Sequence, residues 1–246
     1  MLSTSIVRPA HVIGPLHRVR GMRVSNVFVL DGGVGDRFLV DTGHAFERVS
    51  LLLGLRALGF APRDLSGVLL THAHSDHAGN AAFLRQRYGI PVLAHREDAL
   101  VLAGERDATP LVSRTRDPFA RLFCAIENHT RTRVRVDRAL EGGETVGSLE
   151  VHHAPGHTRG SLLFRHAGTR SLLSGDTLLA AVPPLTITQR MCLPHPDYAL
   201  SLEDALASLR AFLSSELPFD NLLAGHGRPI LGRARESAVR LLDAHA

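Results

Sequence analysis

The amino-acid sequence predicts an α/β fold in which two β-sheets share one core, and three observations lead to it. The first half alternates short apolar, strand-like runs with helical patterns, as βα units do. The second half resumes strands and then returns to helix, so each half is β-rich first and helical after. The length, 246 residues, is ordinary for a two-sheet architecture around one core, and a single domain over residues 1–246 is expected.

The elements follow in order. Val24 to Leu30 and Arg37 to Val40 flank Asp31-Gly32-Gly33, which predicts two strands joined by a tight turn. From about Ala45 to Leu58, Phe46, Val49, Leu52, Leu53 and Leu55 predict a core-packed helix that stops at Gly59. Gly67 to Leu70 is a short apolar strand, Ala78 to Tyr88 a helix closed by Gly89, and Pro91 to Ala94 the next strand. From Glu97 to Arg138 the pattern weakens to a surface excursion with a short helix around Pro118 to Ile126. Within it, Arg131, Arg133, Arg135 and Arg138 alternate with apolar residues, which predicts a half-exposed strand with a solvated face. Strands are expected at Leu149–His153, Leu162–Arg165 and Ser171–Leu173. A Pro-rich loop, Val182 to Pro196, precedes a helix over about Ser201 to Leu213 with Leu202, Leu206, Leu209 and Leu213 on its apolar face. A last strand, Asn221 to Ala224, and a helix from Arg233 close the chain.

Hydrophobic residues make up 44% of the chain and charged residues 21%, far from the composition of disorder. The net charge is +4, and every basic residue is Arg. Those arginines are scattered and interleaved with few aromatics, so the charge favours small anionic molecules over nucleic acid. Cys124 and Cys192 have neither framework nor CxxC spacing, so no disulfide scaffold or Cys-type zinc site is expected. Arg8, Pro9 and His11 interrupt the stretch in which a signal peptide would be apolar, and no run reaches membrane-span length. A cytoplasmic protein with no membrane partner is expected. Leu185, Ile187 and Met191 give the Pro-rich loop an apolar character suited to a homodimer contact or a pocket wall.

The chemistry concentrates in His72-Ala73-His74-Ser75-Asp76-His77, between an apolar strand and a helix. In extended chain, residues two apart point the same way, so His72 and His74 can converge on one ion. The turn that follows aims Asp76 and His77 at a second ion. As a buried polar turn without such partners, these four side chains would each carry a desolvation cost. His157, Asp176 and His226 each follow a Gly at the end of a strand-like run, and ligands at the same end of successive strands meet at one rim. Five imidazoles and two carboxylates suit zinc or a similar first-row metal, with iron and manganese as alternatives, and not an all-oxygen calcium or magnesium site.

In this order and spacing, the chain resembles the metallo-β-lactamase superfamily from roughly Asn26 to Ile230. The resemblance implies an αββα sandwich, two mixed β-sheets packed face to face with helices on both outer faces. It implies that His72, His74 and His157 hold a first divalent metal ion, that Asp76, His77 and His226 hold a second, and that Asp176 bridges them. Asp41 of Asp41-Thr42-Gly43 would orient a ligand histidine, although an Asp-Thr-Gly turn is also common as plain structure. Two such ions lower the pKa of a bound water toward roughly 7 and clamp attacking and developing oxygens. The expected activity is a dinuclear hydrolase in which a bridging hydroxide attacks an ester, thioester, lactone or related carbonyl and Asp76 relays a proton.

Within the superfamily, Asp176 stands where some zinc β-lactamases carry a Cys ligand. Lactonases place a Tyr soon after that Asp, where this chain has Thr177, Leu178 and Leu179. Glyoxalase II shares the full ligand set but adds a C-terminal helical domain, for which the 20 residues after His226 leave no room. Three alternatives stay open: a phosphodiesterase of the same fold, a persulfide dioxygenase-like enzyme with one iron on His72, His157 and Asp176, and a non-catalytic metal-binding module. His44, His152, His153 and His195 are not expected to be ligands, and His195 is assigned to plain loop structure.

Overall fold

The computed structural model describes residues 11–113, 118–181 and 189–245. The first sheet contains β1 (His11–Ile13), β2 (Leu16–Arg18), β3 (Phe28–Asp31), β4 (Arg37–Val40), β5 (Gly67–Leu69), β6 (Val92–His95) and β7 (Arg138–Leu140), in sequence order. Pairing is antiparallel from β1 to β4 and parallel from β4 to β7, so the sheet is mixed. The second sheet begins with β8 (Thr145–Val146), β9 (Leu149–His153), β10 (Leu162–His166) and β11 (Ser171–Gly175). A separate ribbon, β12 (Leu179–Ala181) with β13 (Gln189–Cys192), follows, and β14 (Asn221–Ala224) then returns to pair parallel with β11.

Alternation along the strands builds three apolar layers. Phe28, Leu30, Val40 and Leu69 of the first sheet meet Leu149, Val151, Phe164 and Leu223 of the second, forming the core between the sheets. The intervening residues Val29, Leu39 and Val68 point outward against Leu51 and Leu55 of α1 (Arg48–Ala57). On the opposite face, Leu163, Leu172 and Leu222 pack on Leu209 and Phe212 of α6 (Leu202–Ser214) and Ala238 and Leu242 of α7 (Ala234–Asp243). Period-2 side chains on strands buried from both sides give this helix–sheet–sheet–helix stack, the sandwich expected.

Several elements differ from the reading of the sequence. In the Ala45–Leu58 segment a 3-10 turn, Ala45–Glu47, comes first, and α1 buries Leu51, Gly54 and Leu55. Phe46, Val49 and Leu53, expected in the core, are exposed. The leucine run offers more than one apolar face, and Leu51 and Leu55 are the residues that meet the sheet. The helix expected over Ala78–Tyr88 is two, α2 (Ser75–Ala78) and α3 (Ala81–Tyr88). Between them Gly79 lies against the backbone of Gly43 and Ala45, where a β-carbon would collide. The buried amide of Asn80 donates to the carbonyls of Thr42 and His44 at 2.9 Å each.

The surface excursion holds α4 (Arg96–Ala103) and α5 (Pro118–His129), whereas 131–137 forms no strand. Arg131 donates instead to the carbonyl of Ala108, and Arg133 to that of Val101. On α6 the most buried residues are Ala205, Leu209 and Phe212, with Leu202, Leu206 and Leu213 at the margin. The Pro-rich loop includes β13, but Leu185 and Ile187, expected at a contact or pocket wall, lie outside the described residues. So do Arg8 and Pro9. Cys124 and Cys192 are free thiols. Among the described residues no helix is long and apolar enough to cross a membrane.

Candidate metal centre

Strand direction decides where the seven predicted ligands go. β9 is antiparallel to β10, β10 antiparallel to β11, and β11 parallel to β14, so β9, β11 and β14 share a direction. His157, Asp176 and His226 follow the carboxyl ends of those three strands and emerge at one rim, the usual place for sites on such sheets. The turn after β5 delivers His72 to His77 to the same rim, with His74 as the N-cap of α2.

All seven side chains meet there. His157 Nε2 is 3.2 Å from His72 Nε2 and 3.0 Å from His74 Nδ1. Beside them, His226 Nε2 lies 3.3 Å from Asp76 Oδ2 and 3.2 Å from Asp176 Oδ2. His77 Nε2 lies 3.5 Å from Asp76 Oδ2 and 3.3 Å from Asp176 Oδ1. Three groups of donor atoms, each within 4.8 Å of one another, result: His72, His74 and His157; His72, Asp76 and His77; His77, Asp176 and His226. Donors at tetrahedral positions about 2.0–2.1 Å from a zinc ion stand about 3.3 Å apart, so these spacings fit a metal. His77 Nε2 and Asp176 Oδ1, both buried, have no hydrogen-bond partner among the described residues, which is costly unless a cation serves them.

The two halves of the cluster differ in charge. Burial, followed by the neighbouring His77, holds His72 well below the ordinary imidazole value. Burial and then His74 bring His157 to about 3, so these imidazoles keep free lone pairs. In the other half burial works the opposite way to the carboxylates, and the carboxylates win. Asp76, Asp176 and Asp41 raise His77 well above its ordinary value, and Asp176 with Asp76 raises His226 to about 10. Asp176, despite burial, is held far below the carboxylate range by His226 and His77.

The supporting contacts come from across the chain. Asp41, buried and at φ 61°, accepts from Thr71 N at 2.8 Å through Oδ1, and its Oδ2 meets His77 Nδ1 at 2.8 Å. His77 Nε2 is thereby turned toward the cluster, the arrangement by which an outer carboxylate orients an imidazole. Two further carboxylates escaped the sequence reading. Asp98 of α4 accepts from Ala73 N, Thr158 Oγ1 and Gly160 N, each at 2.8 Å, tying the His72–His77 turn to the His157 loop. Glu127 of α5 accepts from Ser75 N at 2.9 Å and from Ser75 Oγ at 2.5 Å, so the surface excursion clamps the ligand turn. No local motif marks either residue.

The histidines set aside earlier stay outside the cluster. His44 caps the 3-10 turn and meets Thr130 at 3.4 Å; His152 packs on Phe212. His153 stacks on His95 with ring centroids 3.8 Å apart. His195 accepts from Asp197 N at 3.1 Å, and the adjoining Pro196 lines a cavity beside His157.

The sequence profile described as the Metallo-beta-lactamase superfamily matches residues 20–219. The chain belongs to that superfamily. It is 30% identical over 193 residues to YobT of Bacillus subtilis, covering 77% of this chain and 78% of that protein. It is 33% identical over 149 residues to the hydroxyacylglutathione hydrolase of Anaeromyxobacter dehalogenans, covering 60% of this chain but only 44% of the relative. Among solved structures, a metallo-beta-lactamase family protein of Thermus thermophilus superposes with TM-score 0.65 at 26% identity, over 96% of this chain and 80% of that one. In this superfamily member His226 lies beyond the matched range, and its place in the cluster rests on β14.

Gly225 exposes how tightly the cluster is packed. A β-carbon there would lie 2.6 Å from His77 Cε1 and closer still to Asp176 Oδ1. Gly225→Ala is expected to displace both side chains and lower metal content with little loss of helicity, measured by elemental analysis and circular dichroism.

Proposed function

We propose that this metal-dependent hydrolase holds two divalent ions, with zinc as the native metal. In this reading His72, His74 and His157 hold one ion, Asp76, His77 and His226 the other, and Asp176 serves both. One domain over residues 1–246 carries the site, and the substrate is an ester, thioester, lactone or related small carbonyl compound. The observation that carries the reading is the second donor group, His77, Asp176 and His226, buried directly beside the first. A single iron on His72, His157 and Asp176 would leave the buried His77 and His226 without a task.

When bound, such a pair supplies Lewis acidity for a carbonyl oxygen and a water acidic enough to act as nucleophile at neutral pH. The chain's own residues do the rest. Neutral His72 and His157 present lone pairs without first losing a proton. Asp41 keeps His77 Nε2 aimed inward. Asp76 is the more exposed of the two cluster carboxylates, with 22% of its side chain open against 10% for Asp176. In this reading Asp76, the more accessible of the two, passes a proton to the leaving group. Its backbone carbonyl is fixed by Ser25 Oγ at 2.5 Å, which holds the residue in place.

The reading is tested by elemental analysis of the purified protein combined with turnover of an ester, thioester, lactone and phosphodiester panel. Two zinc ions per chain with carbonyl-ester or thioester hydrolysis are expected. One iron per chain with sulfur-dependent oxygen uptake would overturn it, and turnover confined to phosphodiesters would move the substrate class.

A further inference from the structure

Two cavities open beside the cluster, and they differ in charge. The larger, about 280 Å³ on the His74 and His157 side, is lined by arginines and carboxylates in equal number among the described residues. Arg106 there is already paired with Glu97, and Arg131 is committed to the Ala108 carbonyl and Asn128. The smaller cavity, about 210 Å³ on the His226 side, is lined by Arg18, Arg23 and Arg228 together with Ser25, Asn26 and Gln189. No carboxylate lines it among the described residues.

The arrangement is unfavourable for the protein alone. Arg18 is partly buried, and no carboxylate among the described residues pairs with it. Its charged neighbours are other arginines: burial first, then Arg228 and Arg20, push its guanidinium below the ordinary value. Gln189 does not relieve it, because its side-chain oxygen accepts from the backbone of Arg228 at 2.8 Å. The segment 182–188 just before Gln189 contains no acidic residue in its sequence. A desolvated guanidinium beside like charge costs free energy unless an anion completes it, and its planar fork matches a carboxylate or phosphate. The Asn26 side chain braces the site, its Nδ2 donating to the carbonyls of Ala224 at 2.8 Å and Gly227 at 2.6 Å and so tying the cavity floor to the His226 loop.

We propose that this cavity is an anion-recognition subsite, in which Arg18 and Arg228 hold a carboxylate or phosphate group of the substrate while its scissile carbonyl lies at the cluster beside His226. The substrate class is thus an ester or thioester bearing an anionic group remote from the bond that is cleaved. The position of the scissile bond rests on the hydrolase reading; anion binding by the arginines does not.

The test uses the full chain as purified, with metal content measured for each protein. Isothermal titration with glutarate and with inorganic phosphate reads binding directly. Charge-assisted hydrogen bonds are the strong ones, so Arg18→Gln is expected to weaken anion binding by roughly tenfold or more. Arg228→Gln, at an exposed position, is expected to weaken it as well and guards against a folding defect at Arg18. Binding of glutarate alone assigns a carboxylate, and binding of phosphate alone a phosphate. In turnover, kcat/KM for mono-p-nitrophenyl glutarate should exceed that for p-nitrophenyl valerate. The ratio should fall toward one in Arg18→Gln through KM, with Arg18→Lys restoring part of it. Anion affinities unchanged in both glutamine variants, or no binding of either anion to the wild-type chain, would overturn the subsite. Loss of anion binding in the variants with no ester cleaved by any protein would leave the subsite standing and remove the carbonyl-ester reading.

Discussion

Asp176→Ala is expected to lower hydrolysis by more than about a hundredfold and to leave the protein with about one metal ion in place of two. Substitutions even in the outer shell of metal sites typically cost 10–100-fold, and Asp176 is closer in than that. Its Oδ1 faces His77 Nε2 at 3.3 Å, and its Oδ2 faces His226 Nε2 at 3.2 Å and His157 Nε2 at 3.8 Å, so the carboxylate adjoins both halves of the cluster. Removing it also takes away the negative charge that holds His226 up to about 10. Elemental analysis and kcat/KM on the best ester of the panel provide the measurement. Wild-type turnover with two ions retained would refute the shared-ligand role.

The second large effect is expected at Asp41, which touches the cluster only through His77. Asp41→Ala should reduce metal affinity or activity by about 10–100-fold. It should also destabilise the chain by roughly 1–3 kcal/mol, because the buried Thr71 N–H loses its acceptor. The backbone at φ 61° adds to this, being a conformation that Asn and Asp tolerate better than Ala. Asp41→Asn separates the two consequences. It keeps an acceptor for Thr71 and a residue suited to the turn, so stability should recover in denaturant unfolding, while the metal-binding defect persists because the amide is neutral. Equal metal affinity in the wild type and both variants would mean that Asp41 is a turn residue and nothing more.

Both predictions depend on contacts that differ in how visible they were. The donors themselves are legible because each sits in a short local context with its own physical sense. The HxHxDH turn packs four ligand-type side chains between a strand and a helix, and the other three follow Gly at strand ends. The strands were equally plain, since the apolar runs at Phe28–Asp31 and Leu162–His166 and the alternation along Leu149–His153 need only neighbouring residues to be read. Helical phase was less so. In α1 the apolar residues do not define one face, and contact with the sheet chose Leu51 and Leu55 over Val49 and Leu53.

The supporting carboxylates were invisible for a different reason. Asp98 meets Ala73 across 25 positions and Gly160 across 62, and Glu127 meets Ser75 across 52. An acidic residue in the first turn of a helix, such as Asp98, has ordinary helical reasons to be there. The excursion holding α4 and α5 looked like surface, yet it supplies the groups that pin both ligand loops.

The identity and order of the candidate ligands and the strands that carry them could be read from residue type and short-range period, and the resemblance to the superfamily implied the sandwich. Folding settled that Asp41 steadies His77, that Asp98 and Glu127 lock the ligand turns, and that Arg18 and Arg228 share with His226 a cavity lined by no acidic residue among those described. Those relations join residues brought together by folding, and nothing in the local spacing of either partner records the distance between them.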